Sequence, residues 1–233
     1  MPVVAVVVAA GSGSRLGAAV PKALVELDGV PLVRRAVDSL VAGGVSRIAV
    51  TIPAGLGEAF ARALDGVAVP VRCVHGGASR QDSVRIGLAA LDAPGSAVVL
   101  VHDAARALVP ASVVRAVAAA VAAGAEVVIP VMPVVDSIRR VDEDGSAVVD
   151  RAELRAVQTP QAARLDALRR AHALIAERGV EVTDDAAACE YAGMQVTLVD
   201  GHRDALKVTE PVDLVLAVAI LAERRRAHTE EGP

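Results

Sequence analysis

The sequence is nearly devoid of aromatic side chains. Among its 233 residues there is no tryptophan, and Phe60 and Tyr191 are the only phenylalanine and tyrosine. Proteins that bind single-stranded nucleic acid commonly stack bases on aromatic rings. The net charge of -4, with basic residues scattered along the chain, also provides no basic patch for a phosphate backbone or an anionic membrane. We therefore expect neither nucleic acid nor membrane as a partner.

Cysteines and long apolar runs are equally scarce. Cys73 and Cys189 are too few and too isolated for a disulfide framework or a CxxC metal site, so we expect reduced thiols. The apolar run near the start spans about nine residues and lacks a basic leader, which is typical of neither a signal peptide nor a membrane span. Together these absences predict a cytoplasmic protein.

Apolar, strand-like runs alternate with segments of helical period. The strands are predicted at 3–10, 47–52, 71–74, 97–102, 126–131 and 195–199, and the helices at 31–42, 57–64, 82–91, 111–123, 162–178 and 212–224. This alternation predicts an α/β fold with a mostly parallel sheet. We expect one domain over residues 1–233, with a polar, frayed tail at 225–233.

One stretch, at about 132–151, interrupts the alternation. Two strand-like pieces, 137–141 and 147–149, flank Glu143-Asp144-Gly145, which is typical of a hairpin turn. A two-stranded ribbon with few large apolar groups is hardly stable alone. We therefore expect a protruding β-hairpin arm that packs against something else, with a second subunit as the obvious candidate.

The first strand runs into a glycine-rich loop with two cations. The loop reads Ala9-Ala10-Gly11-Ser12-Gly13-Ser14-Arg15-Leu16-Gly17 and is followed by Pro21-Lys22. Glycines let backbone N–H groups approach an anion, and Arg15 and Lys22 can neutralise phosphate charge. The alternative is that both are solvated surface cations. The spacing fits neither the dinucleotide-binding fingerprint nor a P-loop.

Two further loops carry candidate site residues. In Gly76-Gly77-Ala78-Ser79-Arg80-Gln81-Asp82-Ser83, the glycines can bring backbone close to a base, and Ser83 either caps a helix or binds ligand. His102-Asp103-Ala104-Ala105-Arg106 follows a buried strand, where open parallel sheets bind ligands. Asp103 could hold a phosphate-bound Mg²⁺ or a ribose. His102 is either a hydrogen-bonded structural residue or a general base.

These motifs, with Gln158-Thr159-Pro160-Gln161 and Leu206-Lys207-Val208-Thr209, occur in an order that resembles the 2-C-methyl-D-erythritol 4-phosphate cytidylyltransferase family of the sugar nucleotidyltransferases. The resemblance covers nearly the whole chain. It implies a Rossmann-like domain that transfers CMP from CTP to methylerythritol phosphate in the non-mevalonate route to isoprenoids, with Mg²⁺ and release of pyrophosphate. It also implies a homodimer held through the hairpin arm.

The resemblance implies roles for individual residues. Arg15 and Lys22 would stabilise the transition state, and Arg151 and Lys207 would hold the acceptor phosphate. The implied CTP-binding residues are Ala9, Ala10, Gly11, Gly13, Gly77, Ser83, Asp103 and Ala104, with Asp103 as the metal ligand. The implied acceptor-binding residues are Arg106, Asp136, Ser137, Arg151, Thr159, Thr183 and Lys207. Ala78 and Ser137 depart from the side chains expected there, a polar residue and a threonine.

Three alternatives remain open at this point. Thr183-Asp184-Asp185 has the form of a helix N-cap as well as of a substrate contact. The glycine loop and the His102–Arg106 motif would serve a cytidylyltransferase for another polyol phosphate, such as ribitol 5-phosphate. A non-catalytic nucleotide sensor would keep the glycine loop, but it would not need the cations that stabilise a transition state.

Overall fold

The computed structural model describes residues 1–11, 16, 20–143 and 145–230, the last three by backbone alone. Its strands are β1 (Val3–Val8), β2 (Glu26–Leu27), β3 (Val30–Pro31), β4 (Arg47–Ile52), β5 (Val71–His75), β6 (Val98–Asp103), β7 (Val127–Pro133), β8 (Ile138–Asp142), β9 (Gly145–Val149), β10 (Arg155–Val157), β11 (Gln161–Arg164) and β12 (Val196–Asp200). Its helices are α1 (Leu32–Ala42), α2 (Gly57–Ala63), α3 (Arg80–Ala90), α4 (Ala111–Ala122), α5 (Leu165–Arg178), α6 (Asp185–Tyr191) and α7 (Pro211–Glu230).

A twisted central sheet organises the molecule. Its strands follow the order β10-β7-β11-β6-β1-β4-β5, and β12 pairs in parallel with β7. The pairs β1–β4, β1–β6 and β4–β5 are parallel, whereas β10 and β11 run antiparallel to their neighbours. The predicted α/β fold with a mostly parallel sheet is therefore confirmed.

Helices cover both faces of this sheet because its central strands are apolar on both sides. Along β1, Ala5 and Val7 pack into a core with α1, α2 and α4, while Val4 and Val6 pack into a second core with α3, α5 and α6. Such double burial is the reason for the unbroken apolar runs. A smaller third core seats α7 near β2, with Leu27, Leu108, Val208 and Ala217 among its members.

One predicted helix is wrong at its start. Residues 161–164 form β11, which is inserted antiparallel between β6 and β7, and helix α5 begins only at Leu165. The two alanines of this strand are 2% or less exposed, and their small side chains suit a position between two covered faces. Tertiary pairing here outweighs the helix propensity of alanine.

The C-terminal helix also differs from expectation. The sequence predicts a helix end at Arg224 and a frayed tail at 225–233, but α7 continues to Glu230. Arg224 binds Asp204 at 2.7 Å and the Leu108 carbonyl at 2.7 Å, and Arg225 pairs with Asp28. These contacts tie the polar end of the helix to the domain. Residues 231–233 lie outside the described part of the chain.

The hairpin arm is confirmed as β8 and β9, with ends shifted by one or two residues. The two strands pair antiparallel with each other and form a separate two-stranded sheet. Val141 of β8 and Val148 of β9 are 77% and 71% exposed, and Val135, which precedes β8, is 69% exposed. Within the described part of the chain, these apolar side chains therefore remain exposed to solvent. Asp144, at its turn, is outside the described residues.

Candidate active site

A cavity of about 510 Å³ opens at the carboxyl ends of β1 and β6. In open α/β sheets this edge is where ligands bind. The wall is formed by three loops and one residue that follows β12, namely Val8, Ala9, Ala10, Gly11, Lys22, Ala23, Gly77, Ala78, Ser79, Arg80, Ser83, Asp103, Ala104, Ala105 and Lys207. Residues of four separately predicted motifs therefore meet in one place.

The glycine loop supplies one side of the cavity. Ala9 continues the line of β1 by donating its N–H to the Thr51 carbonyl at 2.9 Å, and Ala10 and Gly11 after it line the cavity. Lys22 opens a short 3₁₀ helix, Lys22–Leu24, directly after Pro21, and its side chain lines the cavity. Gly13, Arg15 and Gly17 lie outside the described residues, so their predicted roles stay predictions.

A close approach of two backbone segments explains the glycine pair after β5. A Cβ atom on Gly77 would lie 2.3 Å from Asp82 Cβ, and one on Gly76 would lie 2.5 Å from Ala10 Cβ. The Gly77 N–H donates to Ser83 Oγ at 3.1 Å, and Ser83 Oγ donates to the Ser79 carbonyl at 2.9 Å. The helix cap is Ser79, which accepts the Asp82 N–H at 3.0 Å. Ser83 is therefore not the cap, and its hydroxyl reaches the cavity wall.

Asp103 lies at the centre of a charge cluster. Its two carboxylate oxygens receive Arg80 Nε at 3.2 Å and Lys207 Nζ at 2.7 Å. Burial alone would raise the pKa of Asp103, but the charges of Arg80 and Lys207 outweigh it and hold the pKa well below its usual range. The carboxylate is thus fixed in its ionised form between two cations that line the cavity.

Arg80 is a site residue that sequence reasoning missed. Its guanidinium bridges Asp103 and the buried Asp185, which accepts Nη2 at 2.8 Å. Burial lowers the pKa of Arg80, yet the two carboxylates together raise it. The available signal was its place in the glycine motif, directly after the capping Ser79. The partner 105 residues further along the chain had no local signature.

His102 and Thr159 support the cavity from behind. The His102 ring is fully buried, with Nδ1 3.0 Å from Thr159 Oγ1 and Nε2 3.2 Å from the Arg106 carbonyl. Burial lowers the pKa of His102 to about 4, so it is neutral near pH 7. Thr159 Oγ1 also accepts the Asp103 N–H at 3.1 Å. This geometry favours the structural interpretation of His102, and the cavity wall as described does not include Thr159.

The glutamines on either side of Thr159-Pro160 join three segments. Gln158 exchanges two hydrogen bonds with the backbone of His202, at 3.0 and 3.1 Å. Gln161 Oε1 accepts the N–H groups of Asp185 and Ala186, and its Nε2 donates to Asp184. The segment therefore fixes both the approach to Lys207 and the start of α6.

Two predicted acceptor contacts have other partners here. Arg106 donates to the carbonyls of Ala205 at 2.7 Å and Val157 at 3.2 Å, and burial lowers its pKa. Thr183 is exposed and precedes Asp184, which caps α6 by accepting the Ala187 N–H at 2.9 Å. The structure thus gives the Thr183–Asp185 segment the geometry of a helix N-cap.

The remaining predicted acceptor residues lie on the arm. Asp136 and Ser137 are exposed, and the guanidinium of Arg151, also exposed, donates to the Val135 carbonyl. None of the three is among the residues that line the cavity in this single chain. The acceptor roles predicted for these three residues therefore stay predictions.

The described residues contain no group of three or more His, Cys, Asp or Glu side chains arranged to hold a metal ion. Cys73 is half-buried and Cys189 buried, and the structure describes both as free thiols. Among the helices that the structure describes, none is long and apolar enough to cross a membrane. The cavity therefore offers one carboxylate with surrounding cations, a combination suited to a polyanionic ligand that brings its own metal-binding oxygens.

The family model of 2-C-methyl-D-erythritol 4-phosphate cytidylyltransferase (IspD) matches residues 3–223. Curated enzymes with that name from Saccharopolyspora erythraea and Frankia casuarinae are 49% and 50% identical to this chain. The alignments cover 95% and 94% of this chain and 100% and 81% of those proteins.

Solved structures agree with the sequence comparison. The crystal structure of 2-C-methyl-D-erythritol 4-phosphate cytidylyltransferase from Thermus thermophilus has a TM-score of 0.76 and 33% identity, covering 94% of this chain and 98% of that one. A 4-diphosphocytidyl-2C-methyl-D-erythritol synthase from Anaerococcus prevotii has a TM-score of 0.82 and 25% identity, covering 95% and 98%. The similarity extends over practically the full length of both proteins.

Proposed function

This chain belongs to the 2-C-methyl-D-erythritol 4-phosphate cytidylyltransferase family, and we propose that it works as that enzyme. It transfers CMP from CTP to 2-C-methyl-D-erythritol 4-phosphate, giving 4-diphosphocytidyl-2-C-methyl-D-erythritol and pyrophosphate, a step of the non-mevalonate route to isoprenoids. The observation that carries this proposal is the cavity in which Asp103 sits between Arg80 and Lys207, opposite a glycine loop. We place the reaction in the cytoplasm, in keeping with the unpaired thiols.

CTP would occupy the cavity with its base toward the glycine pair. Gly77 supplies backbone at the wall and Ser83 a hydroxyl, which suits the hydrogen-bonding edge of cytosine where aromatic stacking is absent. Ala9, Ala10 and Gly11 would contribute backbone at the other side. Asp103 and Ala104 line the same cavity at the end of β6.

The reaction needs charge stabilisation more than proton transfer. Attack on the α-phosphorus increases negative charge on the phosphoryl oxygens and on the leaving pyrophosphate, and fixed cations lower that barrier. Lys22 lines the cavity for this task, and Arg15 is assigned the same role by the family resemblance. The attacking phosphate of the acceptor is already ionised at neutral pH. No general base is required, which agrees with the buried, neutral His102.

Nucleotidyl transfer generally uses a divalent metal ion, and we assign Mg²⁺ to this site. Magnesium commonly takes one or two carboxylates and completes its coordination with phosphate oxygens and water. Asp103 is the one carboxylate among the described residues of the cavity wall, and it is held ionised. It would hold Mg²⁺ together with the triphosphate, and the bound ion would supply further positive charge near the reacting phosphate.

The acceptor side requires a second copy of the chain. Asp136, Ser137 and Arg151 belong to an arm whose strands pair only with each other within the described chain and whose valines are exposed. We assign these residues to the methylerythritol phosphate pocket of the neighbouring subunit in a homodimer. Lys207, 42% exposed at its side chain, would clamp the same phosphate from within the chain.

A pyrophosphate-release assay tests the reaction. Purified protein is mixed with Mg²⁺, CTP and either methylerythritol phosphate or ribitol 5-phosphate, and then with ATP, GTP or UTP in place of CTP. Release with CTP and methylerythritol phosphate alone is the expected result. Release with ribitol 5-phosphate alone would replace the acceptor, and no release with any pair would contradict the proposed function.

Sedimentation tests the dimer. The wild-type chain should sediment as a dimer at micromolar concentration, and the double variant Val141→Asp/Val148→Asp should sediment as a monomer that still binds CTP. A monomeric wild-type chain, or a variant that remains dimeric, would contradict the role of the arm.

A further inference from the structure

A buried acid–histidine pair lies directly behind the cavity wall. The side chains of Asp185 and His172 are 2% and 1% exposed, and His172 Nε2 is 3.1 Å from Asp185 Oδ1. The other carboxylate oxygen, Oδ2, accepts Arg80 Nη2 at 2.8 Å. Neither Asp185 nor His172 lines the cavity, whereas Arg80 does. The pair is therefore connected to the cavity through one guanidinium.

The position of Asp185 is determined by its backbone. It is the first residue of α6, and its N–H, together with that of Ala186, donates to Gln161 Oε1 at 3.0 and 2.9 Å. The cap of that helix is a different residue, Asp184. The carboxylate of Asp185 is therefore not used for capping, and it points to His172 on one side and Arg80 on the other.

A buried carboxylate is costly unless both of its oxygens have donors. Burial raises the pKa of Asp185, but the hydrogen bond from His172 and the charge of Arg80 together lower it, so the group stays ionised. His172 comes from α5, and its second ring nitrogen, Nδ1, has no partner among the described residues. Among the described residues, the His172 ring therefore hydrogen-bonds to Asp185 through Nε2.

Arg80 is held at two places. Its Nε donates to Asp103 at 3.2 Å while its Nη2 donates to Asp185, so two carboxylates fix one planar group. A guanidinium presents its donors in a rigid plane, and fixing two nitrogens fixes the direction of the third. The remaining nitrogen, Nη1, makes no hydrogen bond to any residue that the structure describes, and the side chain is 31% exposed at the cavity.

We propose that Asp185 and His172 are positioning residues for nucleoside triphosphate binding: His172 orients Asp185, Asp185 orients Arg80, and Arg80 contacts CTP while holding Asp103. This inference rests on the proposed function, because it takes the cavity as the CTP site. It adds Arg80 as a residue that contacts CTP directly. It also adds Asp185 and His172, which lie behind the cavity wall and act through Arg80.

Two substitutions of His172 separate positioning from packing. His172→Leu fills the space but removes the donor, whereas His172→Gln keeps an N–H at a similar reach. The matched control is Ile175→Val, one turn further along α5 and fully buried in the apolar core. We expect His172→Leu to raise KM for CTP about ten-fold with KM for methylerythritol phosphate unchanged. His172→Gln should restore KM for CTP to within about two-fold of wild type.

Three results would overturn the inference. The first is that His172→Leu and Ile175→Val have the same KM for CTP. The second is that His172→Leu raises the KM of both substrates equally. The third is that His172→Leu and His172→Gln raise KM for CTP equally. The wild-type protein, assayed in parallel, separates this failure from failure of the proposed function, which would leave wild type inactive with every substrate pair.

Arg80 provides a second route if His172→Leu does not fold. Arg80→Met keeps the aliphatic stem on a partly exposed side chain and should raise KM for CTP by about ten-fold or more. An unchanged KM for CTP in Arg80→Met would overturn the inference.

Discussion

The two halves of the proposed active site are built in opposite ways. Asp103 and Arg80 are buried or half-buried, and each is held by partners from two separate segments of the same chain. On the arm, Asp136, Ser137 and Arg151 are exposed on a hairpin that no other strand of the described chain supports. In the proposed site, the nucleotide half is thus preorganised within one chain, whereas the acceptor half would depend on assembly. Variants in the two halves should therefore fail in different ways.

The largest loss is expected at the preorganised half. Lys22→Ala removes a cation that faces the reacting phosphates, so kcat should fall by about 100- to 1000-fold, or roughly 2.7–4 kcal/mol of transition-state stabilisation. KM for CTP should change much less, because the contact strengthens as charge develops. Steady-state kinetics with both substrates measures the two quantities, and an unchanged kcat would remove Lys22 from the mechanism.

A smaller and more selective loss is expected on the arm. Arg151→Ala should reduce kcat/KM for methylerythritol phosphate about 10- to 100-fold, the value of one charge-assisted hydrogen bond of about 1.5–3 kcal/mol. CTP binding, measured by calorimetry, should stay within about two-fold of wild type. Equal losses for both substrates would mean that the two halves are not separate.

The next effect in size is expected from acid, which should lower the free energy of unfolding through the buried His102. Because the folded-state pKa of His102 is lowered to about 4, below the 6.5 of an unfolded chain, the folded state binds fewer protons between these values. The contribution of His102 to the free energy of unfolding is fully present well above pH 6.5 and decreases as the pH falls. At pH 5 the free energy of unfolding is lower by about 2 kcal/mol. Urea unfolding of the protein without nucleotide or metal at pH 7.5 and 5 measures this.

The non-titrating variant His102→Gln is the control for that measurement. It should lose most of the difference between the two pH values, even where its overall stability is lower. Equal wild-type stability at both pH values would show that the ring is not held neutral.

The smallest effect is expected from the other arginines of the arm. Arg140→Ala removes a charge from the same exposed hairpin as Arg151, and exposed charges contribute at most about 1 kcal/mol. Activity with both substrates should therefore remain within about two-fold of wild type. A loss comparable to that of Arg151→Ala would show that overall arm charge, and not one guanidinium, serves the acceptor.

Sequence reasoning worked where the signal was local. Apolar runs located β1, β4 and β6, and glycine pairs located the loops that close on the cavity, because periodicity and backbone requirements are written in neighbouring residues. The hairpin was visible for the same reason. The site residues on these loops, including Lys22, Gly77 and Asp103, could be named before their geometry was known.

It failed where distant segments decide. The β11 segment contains alanines, which favour a helix. It forms a strand because it pairs with β6 on one side and β7 on the other. Arg106 has the residue type of a phosphate ligand, yet its Nη1 and Nη2 donate to the carbonyls of two remote residues, Ala205 and Val157. Arg80 and Asp185 are 105 positions apart in the sequence, and the residues around neither of them predict their contact.

The isolated hairpin has one more consequence, which concerns mixtures of chains. If each arm completes the pocket of the opposite subunit, a dimer of one Lys22→Ala chain and one Arg151→Ala chain contains one pocket with both defects and one with neither. The two impaired preparations, mixed and allowed to exchange subunits, should then reach about a quarter of wild-type activity, since half of the dimers are mixed at random pairing. Two defective copies of the same gene would thus complement each other because each arm serves the pocket of the opposite subunit.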